Sequence, residues 1–291
     1  MVKKYGDLYL DARRILMETE EVDMAGFMAR ELVCHATGMS ADAILTKREM
    51  YAPEDACRQV EAGLRRLSRG EPLAYVLGEW EFYGLPMIVA PGVMIPRDDT
   101  CAVASLAISQ GLFLDQDPRI LDLCCGSGCI GLAVASRVKD AKVTLADLSM
   151  DALNIAKKNT ALNHLTGRVR CVQADATKKA PAFLGKFDMI ISNPPYITAA
   201  EMQELPASVA DYEPHMALYG GEDGLDFYRA IAENYSCALK PGGFLCLEFG
   251  MGQGDDVCRI LEEHGYTILE RTRDYNDRER AVLAKYGRKE A

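Results

Sequence analysis

The 291-residue chain has no apolar N-terminal core: Met1-Val2-Lys3-Lys4-Tyr5 leads into a segment of mixed polarity, which argues against a secretory signal peptide. No apolar run approaches the length of a membrane span. Positive charge is not in excess either. The chain carries 33 Lys and Arg against 43 Asp and Glu, a formal net charge of -10, which disfavours nonspecific affinity for a phosphate backbone. No direct nucleic-acid partner and no membrane partner is expected. There are ten cysteines, but no two stand three residues apart, and Cys124, Cys125 and Cys129 have no nearby histidine, so the case for a metal site is weak. The cysteines sit mostly among apolar neighbours, as in Leu245-Cys246-Leu247, and read as reduced, buried small hydrophobes of a cytoplasmic protein. Internal repeats and low-complexity tracts are absent.

The chain does have apolar material for a sizeable core. It is 49% hydrophobic and 26% charged, and its length suits one large domain or two of ordinary size. Residues 1–75 read as a small helical domain. Met24, Met28 and Leu32 recur at intervals of four, and Cys57, Val60, Leu64 and Leu67 fall on one helical face behind Pro53-Glu54-Asp55. Gly70-Glu71-Pro72 stops that pattern. This stretch holds 11 basic and 13 acidic residues, so it is not a basic arm. Residues 76–98 read as a connector: Trp80, Phe82 and Tyr83, then Gly84, Pro86 and Met87-Ile88-Val89 suggest a β-hairpin.

From 99 to 291 strand and helix patterns alternate. Strands are expected at 119–123, 142–146, 168–173, 187–192, 243–249, 267–272 and 280–286, with helices at 130–138, 152–162, 225–239 and 255–264. Such alternation predicts an α/β domain with a seven-stranded, mostly parallel sheet covered on both faces. The last two strands have no helix between them, so the final one is expected to run antiparallel.

Ile120-Leu121-Asp122-Leu123 runs into Cys124-Cys125-Gly126-Ser127-Gly128, a strand followed by a glycine-rich turn. The turn is neither the G-x-G-x-x-G dinucleotide fingerprint nor a Walker loop, since no Gly-Lys-Ser/Thr follows. Gly126 and Gly128 let the backbone approach a ligand where a Cβ would collide with it. Asp147 closes the next strand, where a carboxylate can accept from two ribose hydroxyls or, alternatively, cap the following helix. A ribose acid beside a loop without phosphate signals fits a nucleoside that carries no pyrophosphate, of which S-adenosylmethionine is the common cofactor. Asp175 with Ala176, after the third strand, suits either an adenine contact or a plain loop. Glu248 reads as a satisfied structural carboxylate.

Asn193-Pro194-Pro195-Tyr196 follows the apolar run 187–191. Pro194 forces Asn193 into an extended conformation, and Pro195 blocks a helix or central strand. The turn either simply ends a strand or offers an amide acceptor, a fixed carbonyl and an aromatic plate to a planar nitrogen that bears two hydrogens.

Together Asp122-x-Cys124-x-Gly126-x-Gly128, Asp147 and Asn193-Pro194-Pro195-Tyr196 resemble the class I S-adenosylmethionine-dependent methyltransferases, whose Asn-Pro-Pro-Tyr branch methylates glutamine amides or exocyclic base amines. The flanks narrow this. Glu71-Pro72-Leu73-Ala74-Tyr75-Val76-Leu77-Gly78, Glu81-Phe82-Tyr83-Gly84, Ile95-Pro96-Arg97 with Asp99-Thr100, Leu247-Glu248-Phe249-Gly250 with Gln253-Gly254, and Arg273-Asp274-Tyr275-Asn276-Asp277-x-Glu279-Arg280 resemble the HemK/PrmC-type protein-(glutamine-N5) methyltransferases. Cys124 departs from the family's first loop glycine, Asp98 from its usual proline and Cys101 from its usual glutamate.

The resemblance implies a Rossmann-like methyltransferase sheet with S-adenosylmethionine as cofactor and S-adenosylhomocysteine as product. It implies release factors as protein substrate, with the glutamine of their Gly-Gly-Gln motif as acceptor, and an N-terminal domain that recognises them. Cys124, Cys125, Gly126, Ser127, Gly128, Asp147, Asp175, Ala176 and Asn193 would hold the cofactor. Asn193, Pro194, Pro195 and Tyr196 would hold the amide, with Asn193, Pro194 and Tyr196 acting in catalysis. A ribosomal-protein glutamine and an adenine N6 are the alternative acceptors.

Overall fold

The computed structural model describes residues 2–287. The chain divides into two compact units, Met1–Gly78 with Ala207–Tyr212, and Glu79–Pro206 with Glu213–Ala291.

The first unit is helical: α1 (Tyr5–Leu16), α2 (Val22–Thr37), α3 (Ala41–Thr46), α4 (Glu54–Leu67) and α5 (Leu73–Leu77). Cys57, Val60, Leu64 and Leu67 are all buried on one face of α4, as their spacing predicts. Burying one such side chain contributes roughly 1.5–3 kcal/mol, so this stripe outweighs intrinsic helix propensity. Met28 and Leu32 are buried in α2, but Met24 is 50% exposed and lies off the core face. The α4 pattern stops ahead of Gly70-Glu71-Pro72, as expected, but a further short helix follows. Pro72 caps the short α5, and Arg66 binds that helix to α4 by donating to Glu71 and to the Tyr75 and Val76 carbonyls. The later segment Ala207–Ala210 (α9) belongs to this unit, where the Tyr212 hydroxyl donates to the Arg69 carbonyl.

The second unit opens with an antiparallel hairpin, β1 (Glu79–Phe82) and β2 (Leu85–Ile88), in register Glu79 with Ile88. A seven-stranded sheet follows: β3 (Arg119–Leu123), β4 (Lys142–Asp147), β5 (Val169–Gln173), β6 (Phe187–Ser192), β7 (Leu239–Glu248), β8 (Tyr266–Arg273) and β9 (Glu279–Tyr286). Its order is β5-β4-β3-β6-β7-β9-β8. The strands from β5 to β7 pair in parallel, and β9 runs antiparallel to both β7 and β8. The order reverses beside β3, so a crevice opens at the C-terminal ends of β3 and β6.

Helices α6 (Cys101–Gly111), α7 (Cys129–Arg137) and α8 (Met150–Leu162) pack into one core with Ile120, Val143, Leu145 and Met189. On the other face α10 (Asp226–Asn234) and α11 (Gly254–Glu263) close over Leu121, Ile190, Leu245 and Phe249. Two features differ from the sequence reading. α6 carries no readable stripe because it is apolar on nearly every side, as a helix buried all round must be. The helix expected over 225–239 ends at Asn234, and β7 begins at Leu239. Among the described residues no helix is long and apolar enough to cross a membrane.

Candidate active site

The glycine-rich loop leaves β3 through Cys124, which holds a left-handed backbone with φ 58°. Gly126 follows with φ 53°, and a Cβ there would meet no protein atom within 4 Å, so the space above it is open. Gly128 has another reason to be glycine. Its Cβ would come within 2.9 Å of Leu145 Cδ1, so it serves the packing of α7 on β4 and does not line the crevice.

Two carboxylates set the loop. Asp147 accepts from the Gly126 N–H at 2.8 Å and from the Ser149 N–H at 2.9 Å. The cap of α8 is Ser149, which accepts from the Ala152 N–H, so Asp147 tethers the loop and does not cap the helix itself. A carboxylate oxygen keeps a second lone pair beside one hydrogen bond, so Asp147 still has acceptor capacity toward the crevice it lines. Beneath the loop Asp122 is fully buried. It accepts from the Gly131 N–H at 2.8 Å, while its Oδ1 has no partner. Burial pushes its carboxyl from 3.8 to about 7, against the Gly131 hydrogen bond that pulls it down.

The loop is also tied to the hairpin. Buried Asn159 of α8 accepts from the Ile88 N–H at 2.6 Å and donates to the Ile88 and Ser127 carbonyls, each at 3.0 Å. Sequence reading passed over this residue, because an Asn inside a helical stretch carries no local signal of a distant clamp.

The crevice opens to solvent, and the non-atom space within it and at its mouth is about 1020 Å³. Cys124, Cys125, Gly126 and Ser127 line one wall, and Asp147, Asp175 and Ala176 line another. The Asp175 carboxylate accepts from the Thr177 N–H at 2.9 Å and hydroxyl at 2.6 Å and pairs with Lys178 at 3.1 Å, which holds it below the ordinary carboxylate range. The outer wall joins Met94 and Pro96 to Pro214 and Met216. Glu213, buried between these segments, accepts from the Ile95 N–H at 3.2 Å and pairs with Arg97.

The Asn193-Pro194-Pro195-Tyr196 turn leaves β6 at the same end. Ser192 anchors it by donating to the Leu123 carbonyl at 2.6 Å. Asn193 and Pro195 line the crevice, whereas Pro194 and Tyr196 do not. The Asn193 Nδ2 donates to Thr100 Oγ1 at 3.4 Å, an arrangement that turns Oδ1 away from Thr100. Supports unseen in the sequence hold the rest. Gln253 Nε2 donates to the Tyr196 carbonyl at 3.0 Å, and a Cβ on Gly220 would stand 2.6 Å from Tyr196 Cα. The close pair Gly220-Gly221 with Gly224 was the available signal.

Behind the turn lies a buried polar cluster. Arg280, 6% exposed, reaches Asp274 at 3.1 Å and Asp99 at 3.2 Å. Glu248 is 2% exposed and its Oε2 has no hydrogen-bond partner, so it is not the satisfied carboxylate that the sequence suggests. Burial raises its carboxyl from 4.5 to about 8, while the hydroxyl of Thr100, the charge of Arg280 and the hydroxyl of Tyr196 pull it back. Burial likewise raises the Tyr196 phenol.

All ten cysteines are free, but only Cys57, Cys125, Cys129 and Cys246 are buried, five others are half-buried and Cys237 is exposed, so the expectation of uniform burial fails. Among the described residues no group of three or more His, Cys, Asp or Glu stands ready to hold a metal ion.

A doubly wound sheet, a glycine-rich loop with a carboxylate tether, and an Asn-Pro-Pro-Tyr turn on one crevice define a methyltransferase of the α/β class. The family model described as "Methyltransferase small domain" matches residues 99–208, and "PrmC N-terminal domain" matches residues 7–78. A release factor glutamine methyltransferase of Clostridium acetobutylicum is 35% identical over 98% of this chain and 99% of its own length. One from Bacteroides thetaiotaomicron is 35% identical over 87% of this chain and 90% of its own. The chain belongs to the release factor glutamine methyltransferase family. In fold it is similar to the hMettl16 catalytic domain (TM-score 0.56, 14% identity, 81% of this chain and 83% of that one).

Proposed function

We propose that the crevice binds S-adenosylmethionine and that the Asn193 turn presents to it the side-chain amide of a glutamine in the Gly-Gly-Gln motif of peptide chain release factors. The observation that carries this reading is Asn193 itself: its NH2 donates to Thr100 Oγ1 at 3.4 Å while the residue lines the crevice shared with Gly126 and Asp147. Bound there, the cofactor would supply an electrophilic sulfonium methyl group, with S-adenosylhomocysteine as the product and one amide proton lost from nitrogen after the methyl group is transferred. The open face of Gly126 admits a ligand against the backbone, Asp147 offers lone pairs to ribose hydroxyls, and Asp175 with Ala176 flanks the base.

The chain's own work is orientation. A primary amide is a poor nucleophile, because its nitrogen lone pair is delocalised into the carbonyl. Its two N–H groups need acceptors; Asn193 Oδ1 provides one from the crevice wall, whereas Pro194, the other expected acceptor, does not line the crevice. Fixing the nitrogen in this way supplies proximity, worth about 7–11 kcal/mol in favourable cases. The Asn193 acceptor strengthens as positive charge grows on nitrogen, so it favours the transition state over the ground state. Pro195 lines the crevice and stiffens the turn, and Tyr196 packs against the core behind it. The helical residues 1–75 serve in recognition of the protein substrate.

The test is Asn193→Ala, with labelled methyl transfer and calorimetric cofactor binding measured on the same preparation. Loss of transfer with cofactor affinity retained supports the reading, and normal transfer rejects it.

A further inference from the structure

The sheet has a second groove at the other end from the crevice, beside the N-terminal ends of β3, β4 and β5. Parallel sheets ordinarily have both faces covered. Here the crossover from β5 to β6, residues 174–186, carries no α-helix, only a single turn at Ala182–Leu184. The sheet face beneath it is charged and not apolar. Register pairs Arg119 with Lys142, Leu121 with Thr144, and Thr144 with Arg170, so Arg119, Lys142, Thr144 and Arg170 share the face of Leu121. Lys142 and Arg170 are exposed there. The non-atom space in the groove and at its mouth is about 650 Å³. Arg119, Lys142, Arg168 and Arg170 line it and no Asp or Glu does, in a chain whose net charge is -10.

These cations are held in place almost entirely by neutral groups. Arg168 donates to the carbonyls of Ala135, Val138 and Ala141 at 2.7, 3.1 and 3.3 Å. Arg119 donates to the Leu184 carbonyl at 2.9 Å and lies over the Phe187 ring at 5.2 Å. Arg170 Nε donates to Thr144 Oγ1 at 3.0 Å, and its two terminal nitrogens have no acceptor among the described residues. Lys142 alone meets a carboxylate, Asp117 at 3.4 Å, and both are exposed, so that pair contributes little. Asp188 accepts from the Arg119 backbone N–H at 2.9 Å, but its charge is met by Lys240 at 2.7 Å. Three guanidinium charges therefore face one groove without a carboxylate partner among the described residues.

We propose that this groove is an anion site that takes a small molecule bearing a di- or triphosphate group. A guanidinium offers a fork of donors that fits phosphate oxygens, and an anion between the cations relieves their mutual repulsion. Adjacent strands lie about 4.8 Å apart, so cations on β3, β4 and β5 spread over roughly 10 Å, wider than a single phosphate. The acidic balance of the whole chain opposes a long phosphate backbone, which selects a small ligand over a nucleic acid. The groove lies apart from the residues that line the crevice, and methyl transfer makes no use of it.

The experiment titrates inorganic orthophosphate, tripolyphosphate and a single-stranded RNA oligonucleotide into the intact chain by calorimetry. Three proteins are compared: wild type, the double variant Lys142→Ala with Arg170→Ala, and a control that removes two exposed cations of α4, Arg58→Ala with Arg65→Ala. Tripolyphosphate is expected to bind wild type and the control alike at one site, with orthophosphate at least about tenfold weaker. The groove variant is expected to lose at least about tenfold in tripolyphosphate affinity, as two charge-assisted contacts go. Saturating S-adenosylhomocysteine should leave that affinity within about twofold. If the double variant does not fold, Lys142→Ala alone decides, with a loss of at least about threefold. Absence of tripolyphosphate binding, equal binding by wild type and the groove variant, or an equal loss in the control overturns the proposal. Competition with S-adenosylhomocysteine overturns it too, by placing the anion in the crevice. RNA that binds through Lys142 and Arg170 where tripolyphosphate does not would replace the small ligand with a nucleic-acid surface.

Discussion

Gln253 Nε2 donates to the backbone carbonyl of Tyr196 across 3.0 Å, and so a loop at the start of α11 holds the last residue of the Asn-Pro-Pro-Tyr turn. The same Gln253 accepts from the Gly250 N–H at 2.9 Å, and a Cβ on Gly224 would lie 2.3 Å from the Tyr196 oxygen. Turn and support are therefore one rigid piece. Gly224 has φ 72°, so Gly224→Ala combines backbone strain with a backbone clash and is expected to cost about 2–3 kcal/mol in urea denaturation. Gln253→Ala is expected to fold but to lower kcat severalfold with cofactor affinity unchanged. An unchanged kcat would show that the turn holds itself.

Cys124 occupies a left-handed conformation at φ 58° where a glycine would be unstrained. A residue with a Cβ gives up about 1–2 kcal/mol there. Cys124→Ala keeps that strain and loses the sulfur's packing against the core, whereas Cys124→Gly loses the packing but relaxes the backbone. The glycine variant should therefore be the more stable of the two by about 1 kcal/mol in thermal or urea unfolding. The reverse order would mean that glycine's greater freedom in the unfolded chain outweighs the relief of backbone strain.

Gly126 stands over open space with φ 53°. Gly126→Val puts a branched side chain into that space. The expected result is a fall of at least about tenfold in S-adenosylhomocysteine affinity by calorimetry, roughly 1.4 kcal/mol or more. Affinity within twofold of wild type would place the cofactor elsewhere.

Two buried carboxyls couple stability to pH. Asp122 is raised from 3.8 to about 7 and Glu248 from 4.5 to about 8. Between those limits the folded chain holds more protons at these sites than the unfolded chain does, so stability falls as pH rises. Their contribution is fully present below about pH 4 and is lost by the time pH has passed about 8. Urea midpoints from about pH 5 to 8.5 should decline in wild type, and the decline should shrink in Asp122→Asn with Glu248→Gln. An equal slope in both proteins would contradict these assignments.

The strand pattern, the glycine-rich loop and the Asn193 turn are legible in the sequence because each is local: a run of β-branched residues, a glycine pair, an Asn-Pro step. The buried helix α6 is not, since the residues Cys101–Gly111 lack the polar face that makes periodicity visible. Nor are Asn159, Gln253 and Gly224, whose partners lie 71, 57 and 28 residues away in the chain. Glu248 shows the limit most plainly. A carboxylate at the end of a strand reads as satisfied until its surroundings show one oxygen with no donor.

Methyl transfer to a glutamine amide nitrogen held by Asn193 leaves a product that can be read directly. The most direct test is mass spectrometry of the release-factor Gly-Gly-Gln peptide after incubation of the intact release factor with S-adenosylmethionine and this protein, with DNA and rRNA as parallel substrates. The expected product carries one added methyl group, mapped by fragmentation to the glutamine side chain, absent with Asn193→Ala and absent from both nucleic acids. An unmodified glutamine alongside a methylated adenine, or an undiminished product from the alanine variant, would contradict that expectation.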